Sequence, residues 1–350
     1  VNVDKGRDTP QILVIYTGGT IGMVSDSDTH ALRAFDFDQL WDQLEELRHL
    51  HCRTAFHSFA EPMDSSDMKP GHWIEIAELI QVHYARYDGF VVLHGSDTMA
   101  YSASALSLML ENLGKPVIFT GSQLPLGALR TDARENLITS IQLAALRQGA
   151  APLIQEVGLY FGYKLLRANR STKVNAVHFE AFASPNFPPL AESGVQLSVD
   201  KSLLLRKPGV LAVNKVLNTR TALVKFSPGI DPSFLRALLD ESAIEGVLLE
   251  TYGSGNASTE KWFLKWLETA LDKGLKIANV TQCIGGSVAL GRYETSRFMK
   301  TLGIASGYDI TTESALAKMM LLLPCDCTND EFKAEFEKPW AGELSPSSKS

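Results

Sequence analysis

Two threonine hydroxyls bracket a pair of glycines at Thr17-Gly18-Gly19-Thr20. The apolar run 12–15 leads into that turn and reads as a strand buried on both faces. A hydroxyl held at a strand end, beside glycine-flexed backbone rich in N–H groups, can act as a nucleophile. The same residues also make an ordinary strand-to-loop turn. His94-Gly-Ser-Asp-Thr-Met99 follows a second apolar run, 89–93. Asp97 there reads either as a helix N-cap or as an acid facing Thr20 across a cleft, with Ser96 as a second hydroxyl. Asp64-Ser65-Ser66-Asp67 precedes Lys69-Pro70 and reads as a cap or as a set of donors for a ligand carboxylate. Lys173, in Arg170-Ser-Thr-Lys173, is a solvated surface lysine or, if buried beside a carboxylate, a base.

These residues need a scaffold that brings them together. The apolar pattern predicts strands at 12–16, 89–93, 117–120 and 156–161, and helices at 36–50, 70–84, 100–113 and 131–146. Short apolar strands alternating with helices imply a mainly parallel sheet with right-handed crossovers. Three strand ends carry a glycine and a hydroxyl: Gly19-Thr20, Gly95-Ser96 and Gly121-Ser122. In an open α/β sheet those ends converge on the edge where ligands bind. Pro185-Asn-Phe-Pro-Pro189 then interrupts the pattern. The expected organisation is α/β, with mainly parallel sheets and flanking helices. A larger N-terminal domain (1–190) is followed by a linker with a hairpin (191–220) and a smaller C-terminal α/β domain (221–345). The second domain is expected to hold strands at 222–226, 246–250 and 276–280, and helices at 232–239, 258–273 and 312–322. The tail 345–350 is expected to fray.

Composition narrows the function. Of 350 residues, 45% are apolar and 21% charged, enough for a large packed core. A formal net charge of −7 argues against a sequence-independent nucleic-acid binder and against docking on anionic lipid. No apolar stretch reaches the ~18–20 residues that span a bilayer. The first ten residues are polar and mixed in charge, so no signal peptide is expected, although Val1 is not a start methionine. Cys52, Cys283, Cys325 and Cys327 make no disulfide framework and are expected as free thiols. Phosphate-loop, dinucleotide, zinc-protease and serine-elbow motifs are absent from the sequence. His49, His51 and Cys52 match no common zinc spacing, so no metal is expected.

Taken together, five motifs resemble the L-asparaginases, most closely the bacterial type I, cytoplasmic branch. They are Thr17-Gly-Gly-Thr-Ile21, Asp64-Ser-Ser-Asp-Met68, His94-Gly-Ser-Asp-Thr-Met99, Arg170-Ser-Thr-Lys173 and Ala183-Ser-Pro-Asn186. Tyr252-Gly-Ser-Gly-Asn-Ala257 and Thr281-Gln-Cys283 add to the likeness, which runs from about residue 11 to 345. The resemblance implies a two-domain protein with its site at the N-domain sheet edge, assembled as intimate dimers or tetramers. It implies hydrolysis of L-asparagine to aspartate and ammonia with no cofactor. Thr20 matches the nucleophile, and Ser96, Asp97 and Lys173 match a proton relay in which the lysine must be partly neutral. Gly19, Asp64, Ser65, Ser66 and Gly95 match substrate-binding positions, and backbone N–H groups at the glycine turn and Ser96 match an oxyanion site. Asn256 matches the asparagine contributed by a neighbouring subunit.

Two departures stand out. The relay hydroxyl is usually threonine but here is Ser96. Many relatives carry a tyrosine in the loop after the nucleophile, whereas 21–40 contains none; the stretch 23–33 is expected to act as a lid. Some type I enzymes also bind asparagine at an activating site. Thr172, Thr281, Gln282, Cys283 and Thr312 match its lining, but Glu250 stands where an arginine would hold the effector carboxylate. Activation is therefore expected to be weak or absent. Other readings are a broad glutaminase-asparaginase, a non-catalytic amino-acid sensor, and the glutaminase subunit of a tRNA-dependent amidotransferase. The last needs an additional N-terminal domain, for which a first strand at residue 12 leaves no room.

Overall fold

The computed structural model describes residues 9–25, 32–34, 44–207, 209–240 and 243–346. Contacts divide the chain into two units, Val1–Val213 and Asn214–Ser350. The first apolar run forms β1 (Gln11–Gly18), buried from Ile12 onward. It is followed by β2 (Arg53–Met63), α1 (Pro70–His83), β3 (Gly89–Leu93), α2 (Met99–Met109), β4 (Val117–Thr120) and α3 (Ala133–Ala145). Next come β5 (Val157–Phe161), β6 (Lys164–Arg167) and a hairpin of β7 (Ala191–Ser193) and β8 (Leu197–Val199). All eight strands share one sheet, ordered β8-β7-β6-β5-β4-β3-β1-β2.

Neighbours from β2 to β5 are parallel, and those from β5 to β8 antiparallel. The parallel part has the doubly wound order 2-1-3-4-5. Its direction of winding reverses between β1 and β3, so a crevice opens beyond the carboxyl ends of those two strands. Thr20 follows β1 and Ser96 follows β3. Helices seal the faces through apolar stripes. Trp73, Ile76, Ala77 and Ile80 of α1 are buried at helical spacing. Leu137, Ile141 and Ala144 of α3 join Ile12, Val14 and Val91 in one core.

Several elements differ from expectation. Nothing in the sequence reading marked β2, which is an edge strand with mostly exposed side chains. Of the helix expected at 36–50, residues 36–43 lie outside the described residues. The remainder is a 3-10 turn, Glu45–His49, rather than α-helix. Leu44 and Leu47, three apart, eclipse on such a turn, and both are buried in the core. Helix α2 stops at Met109, short of Leu113, because Leu110–Glu111 leaves to pair with Ala212–Val213. At the expected lid, Met23–Ser25 pairs with Leu32–Ala34, and 26–31 lie outside the described residues.

The second unit is a four-stranded parallel sheet ordered β9 (Thr221–Lys225), β10 (Gly246–Thr251), β11 (Lys276–Thr281) and β12 (Ala305–Ser306). Its helices are α4 (Pro232–Asp240), α5 (Lys261–Asp272), α6 (Glu294–Thr301), α7 (Thr312–Leu322) and α8 (Asn329–Phe336). Alternate residues of β10 serve opposite faces. Val247 and Leu249 pack with Phe263, Trp266 and Leu267 of α5, while Leu248 packs with Met319 of α7 and Phe332 and Phe336 of α8. β12, α6 and α8 lie outside the elements expected from sequence. Of the tail, 347–350 lie outside the described residues, and the Ser345 N–H is tied to Asp309 Oδ1 at 2.6 Å.

Candidate active site

The crevice is built by backbone packed on backbone. Gly19 has φ +89, a conformation that disfavours a side chain, and a Cβ there would lie 2.5 Å from both the Cα and N of Gly95. A Cβ on Gly95 would lie 2.5 Å from Ser65 Oγ. The loops after β1, β3 and β2 therefore touch at positions that only glycine fills. Hydrogen bonds lace them together. Thr17 Oγ1 donates to the Leu93 carbonyl (3.0 Å) and Thr98 Oγ1 to the Ser65 carbonyl (2.7 Å). This brings Gly19, Thr20, Ser65, Gly95, Ser96 and Asp97 into one cluster. Thr20 itself is half-buried and opens a 3-10 turn, Thr20–Gly22.

Lys173 arrives from a short antiparallel ribbon, Thr172–Lys173 against Phe182–Ala183. Its Nζ donates to Ser96 Oγ at 2.9 Å and to Asp97 Oδ1 at 2.6 Å. The lysine side chain is 18% exposed and the aspartate side chain 65%. Asp97 is not the N-cap of α2. That position is Thr98, which makes no side-chain cap bond. The aspartate is turned to the lysine instead. Capping chemistry appears at Asp64, whose Oδ1 accepts from the N–H and the hydroxyl of Ser66, both at 2.8 Å. Those two bonds, the backbone one first, hold the Asp64 carboxyl below its usual range. Ser66 is thus committed to Asp64.

Behind the cluster lie groups to which the sequence reading gave no role. His94 is fully buried, and burial pushes its imidazole down to about 4, so it is neutral. Its Nδ1 donates to the Gly95 carbonyl (2.7 Å), and its Nε2 accepts from Ser102 Oγ (2.9 Å). This tautomer follows from the Gly95 carbonyl, which can only accept, and Ser102 Oγ accepts in turn from the Trp73 Nε1–H (3.0 Å). The Tyr16 hydroxyl donates to the Gly19 carbonyl (3.3 Å), and burial pushes it up to about 12. Ser96 Oγ also donates to Gln123 Oε1 (3.4 Å). The Gly19 N–H donates to the Met63 carbonyl (3.2 Å), which removes it from the expected oxyanion donors.

The remaining sequence-predicted residues divide between the two units. Asn256 belongs to the second unit, where it closes a tight turn with Tyr252 through two backbone bonds of 2.8 and 2.9 Å. Thr172 belongs to the first unit. Glu250, Thr281, Gln282, Cys283 and Thr312 gather at the carboxyl ends of β10 and β11 and the start of α7. Glu250 Oε1 accepts from Thr312 Oγ1 (2.6 Å), and its Oε2 lies 3.7 Å from Lys225 Nζ. Gln282 Nε2 donates to the carbonyls of Phe226 (2.6 Å) and Glu250 (2.8 Å). Thr281 Oγ1 donates to the Gly253 carbonyl and accepts from the Cys283 N–H (3.0 Å). Among the described residues, no three His, Cys, Asp or Glu side chains are grouped to hold a metal ion. All four cysteines are free thiols.

Comparison with known proteins identifies the family. Residues 11–204 match the family model for the asparaginase N-terminal domain, and 220–336 match that for the glutaminase/asparaginase C-terminal domain. The chain is 41% identical to L-asparaginase 1 of Escherichia coli K12 over 340 residues, covering 96% of this chain and 98% of that one. It is 40% identical to the 60 kDa lysophospholipase of Mus musculus, covering 89% of this chain and 58% of the mouse protein. The crystal structure of L-asparaginase I from Vibrio cholerae superposes with a TM-score of 0.87 at 39% identity, covering 97% of this chain and all of that one. With both halves matched in order and the doubly wound sheet in place, the chain belongs to the asparaginase family.

Proposed function

We propose that this protein hydrolyses L-asparagine to L-aspartate and ammonia through a β-aspartyl ester on Thr20. The observation that carries the reading is the Lys173–Ser96–Asp97 hydrogen-bonded set, locked against the Thr20 loop by the Gly19–Gly95 contact. In the first half-reaction Thr20 Oγ attacks the side-chain amide carbon. Its proton passes to Ser96, whose own proton passes to Lys173. The C–N bond breaks as nitrogen takes a proton, and ammonia leaves. Water then attacks the ester carbon, the bond to Thr20 Oγ breaks, and the hydroxyl recovers its proton. Splitting amide hydrolysis into two acyl transfers is what a poised hydroxyl contributes.

The Ser96 N–H is the oxyanion donor in this reading, worth about 3–4 kcal/mol of transition-state stabilisation. Asp64, Ser65 and Asp97 hold the α-amino and α-carboxylate ends of the substrate. Asn256 of a neighbouring copy completes the site, which makes the working form a dimer or tetramer, located in the cytoplasm. Ammonia release from asparagine should vanish in Thr20→Ala. Release that persists undiminished would overturn the mechanism.

A broad glutaminase-asparaginase is the second reading, favoured by the glutaminase/asparaginase C-terminal match. One methylene of extra substrate length is worth only about 1–3 kcal/mol. The ratio of turnover on the two amides decides between them. A non-catalytic sensor would leave the wild-type chain inactive, and it gives no reason for Lys173 to reach both Ser96 and Asp97.

A further inference from the structure

We propose that Gln123 is a positioning residue that holds the Ser96 hydroxyl in the rotamer the relay requires. The inference rests on the relay reading of Ser96 and Lys173 above. A serine side chain has one heavy atom beyond Cβ and is free to sample three staggered wells. A threonine at the same place would be stiffened by its methyl branch. This chain has the serine, so its hydroxyl must be pinned from outside.

Two groups do this. Lys173 Nζ donates to Ser96 Oγ at 2.9 Å. The Ser96 hydroxyl in turn directs its own hydrogen at Gln123 Oε1, 3.4 Å away, so Oγ is held from two sides before any proton moves. The orientation of that amide is settled by its other end. Gln123 Nε2 lies 3.0 Å from the His178 carbonyl, which can only accept, so the oxygen must face Ser96. At 3.4 Å the hydroxyl contact is long. Its contribution is to direction more than to strength.

Gln123 is itself fixed by a built framework. Its N–H donates to both Asp132 carboxylate oxygens, at 3.1 and 3.0 Å, and the Leu124 N–H donates to Oδ1 at 3.1 Å. Buried Asn136 ties Asp132 Oδ2 (3.2 Å) to the Gly121 carbonyl (2.9 Å) at the end of β4. His178, at the far end of the amide, lies in the loop between the two strands of the Lys173 ribbon, and its N–H is held by Asn175 Oδ1 (2.8 Å). One glutamine thus links the Ser96 loop, the end of β4 and the loop that carries the relay lysine.

The test measures kcat and KM for asparagine in Gln123→Met, in the natural chain and in a Ser96→Thr chain. Releasing Ser96 into three wells lowers kcat about threefold, with KM unchanged because Gln123 holds no part of the substrate in this reading. In the Ser96→Thr background the same replacement lowers kcat by less than about 1.5-fold, because the methyl branch already fixes the rotamer. An unchanged kcat in the natural chain would overturn the proposal. So would an equal loss in both backgrounds, which would mean that Gln123 acts only by holding its loop. Thermal unfolding checks that each variant folds, and Gln123→Ala repeats the comparison if the methionine is not accommodated. Thr20→Ala, assayed in parallel, separates the two ideas, because activity surviving there removes the acyl-enzyme reading itself.

Discussion

A single methyl group at Gly19 tests the contact that joins the Thr20 loop to the Ser96 loop, the proposed nucleophile and relay. In Gly19→Ala the new Cβ meets Gly95 backbone 2.5 Å away at a φ of +89, so the loops must part. A displacement of that order is expected to lower kcat about 100-fold, read from initial rates with circular dichroism to confirm folding. A variant with wild-type kcat would remove the contact from the account. His94 gives a second prediction at this scale. Burial lowers its value from 6.5 to about 4, so the unfolded chain binds the extra proton first as pH falls. Its contribution, about 3 kcal/mol, is complete above pH 6.5 and is lost on descending toward pH 4. The denaturation midpoint of His94→Asn should therefore change less with pH across that window than the natural chain's. Much of this scale was legible. The hydroxyl and carboxylate motifs stood at strand ends where a site belongs, whereas for Lys173 the residues left a surface lysine and a base both open, and the family resemblance alone favoured the base. Gln123 and His94 were silent, because their roles depend on partners 27 and 8 residues away that no spacing rule connects.

Among the elements, the C-terminal segment after α8 hangs on a buried ion pair. Lys318 of α7 and Glu343 are both fully buried, with Nζ and Oε1 2.7 Å apart. Lys318 also donates to the Lys338 carbonyl (2.6 Å) and lies over the Trp340 ring. Burial alone would raise the Glu343 carboxyl. The Lys318 ammonium and the N–H groups of Trp340 and Ala341 outweigh it and hold the carboxyl below its usual range. That stabilisation is complete above the unfolded carboxylate value, roughly 4.3, and is lost as pH falls through the lower folded value. Lys318→Met strands a buried charge and should cost about 3–5 kcal/mol, seen as a lower denaturation midpoint. Adding Glu343→Gln should recover part of it. A cost in the single variant within error of zero would contradict the pair's role. The central strands were readable because both faces are covered and the sequence is continuously apolar. Edge strand β2 was not, because most of its side chains face away from the core. Helix α6 has only polar, charged and scattered apolar residues, and β12 is two residues long.

For the molecule as a whole, the candidate residues divide between two units. The first holds Thr20 and the proposed relay at the point where the sheet order reverses. The second holds Asn256 and the Glu250 cluster. The alternation of strand and helix announced the parallel sheets. The family resemblance, and not any pattern in the residues, supplied the roles of Asn256 and of the effector positions. By that resemblance Glu250 stands where an arginine would hold an effector's carboxylate, and its own carboxylate is bonded to Thr312. The initial rate against asparagine concentration should follow a hyperbola. A strongly sigmoidal curve, retained in Glu250→Ala, would contradict that expectation. Acylation of Thr20 is read by mass spectrometry of the intact protein quenched during turnover of a slow asparagine analogue, followed by peptide mapping. An added acyl group is expected on the peptide carrying Thr20, absent in Thr20→Ala. An adduct on any other residue, or turnover with none formed under any trapping condition, would contradict it.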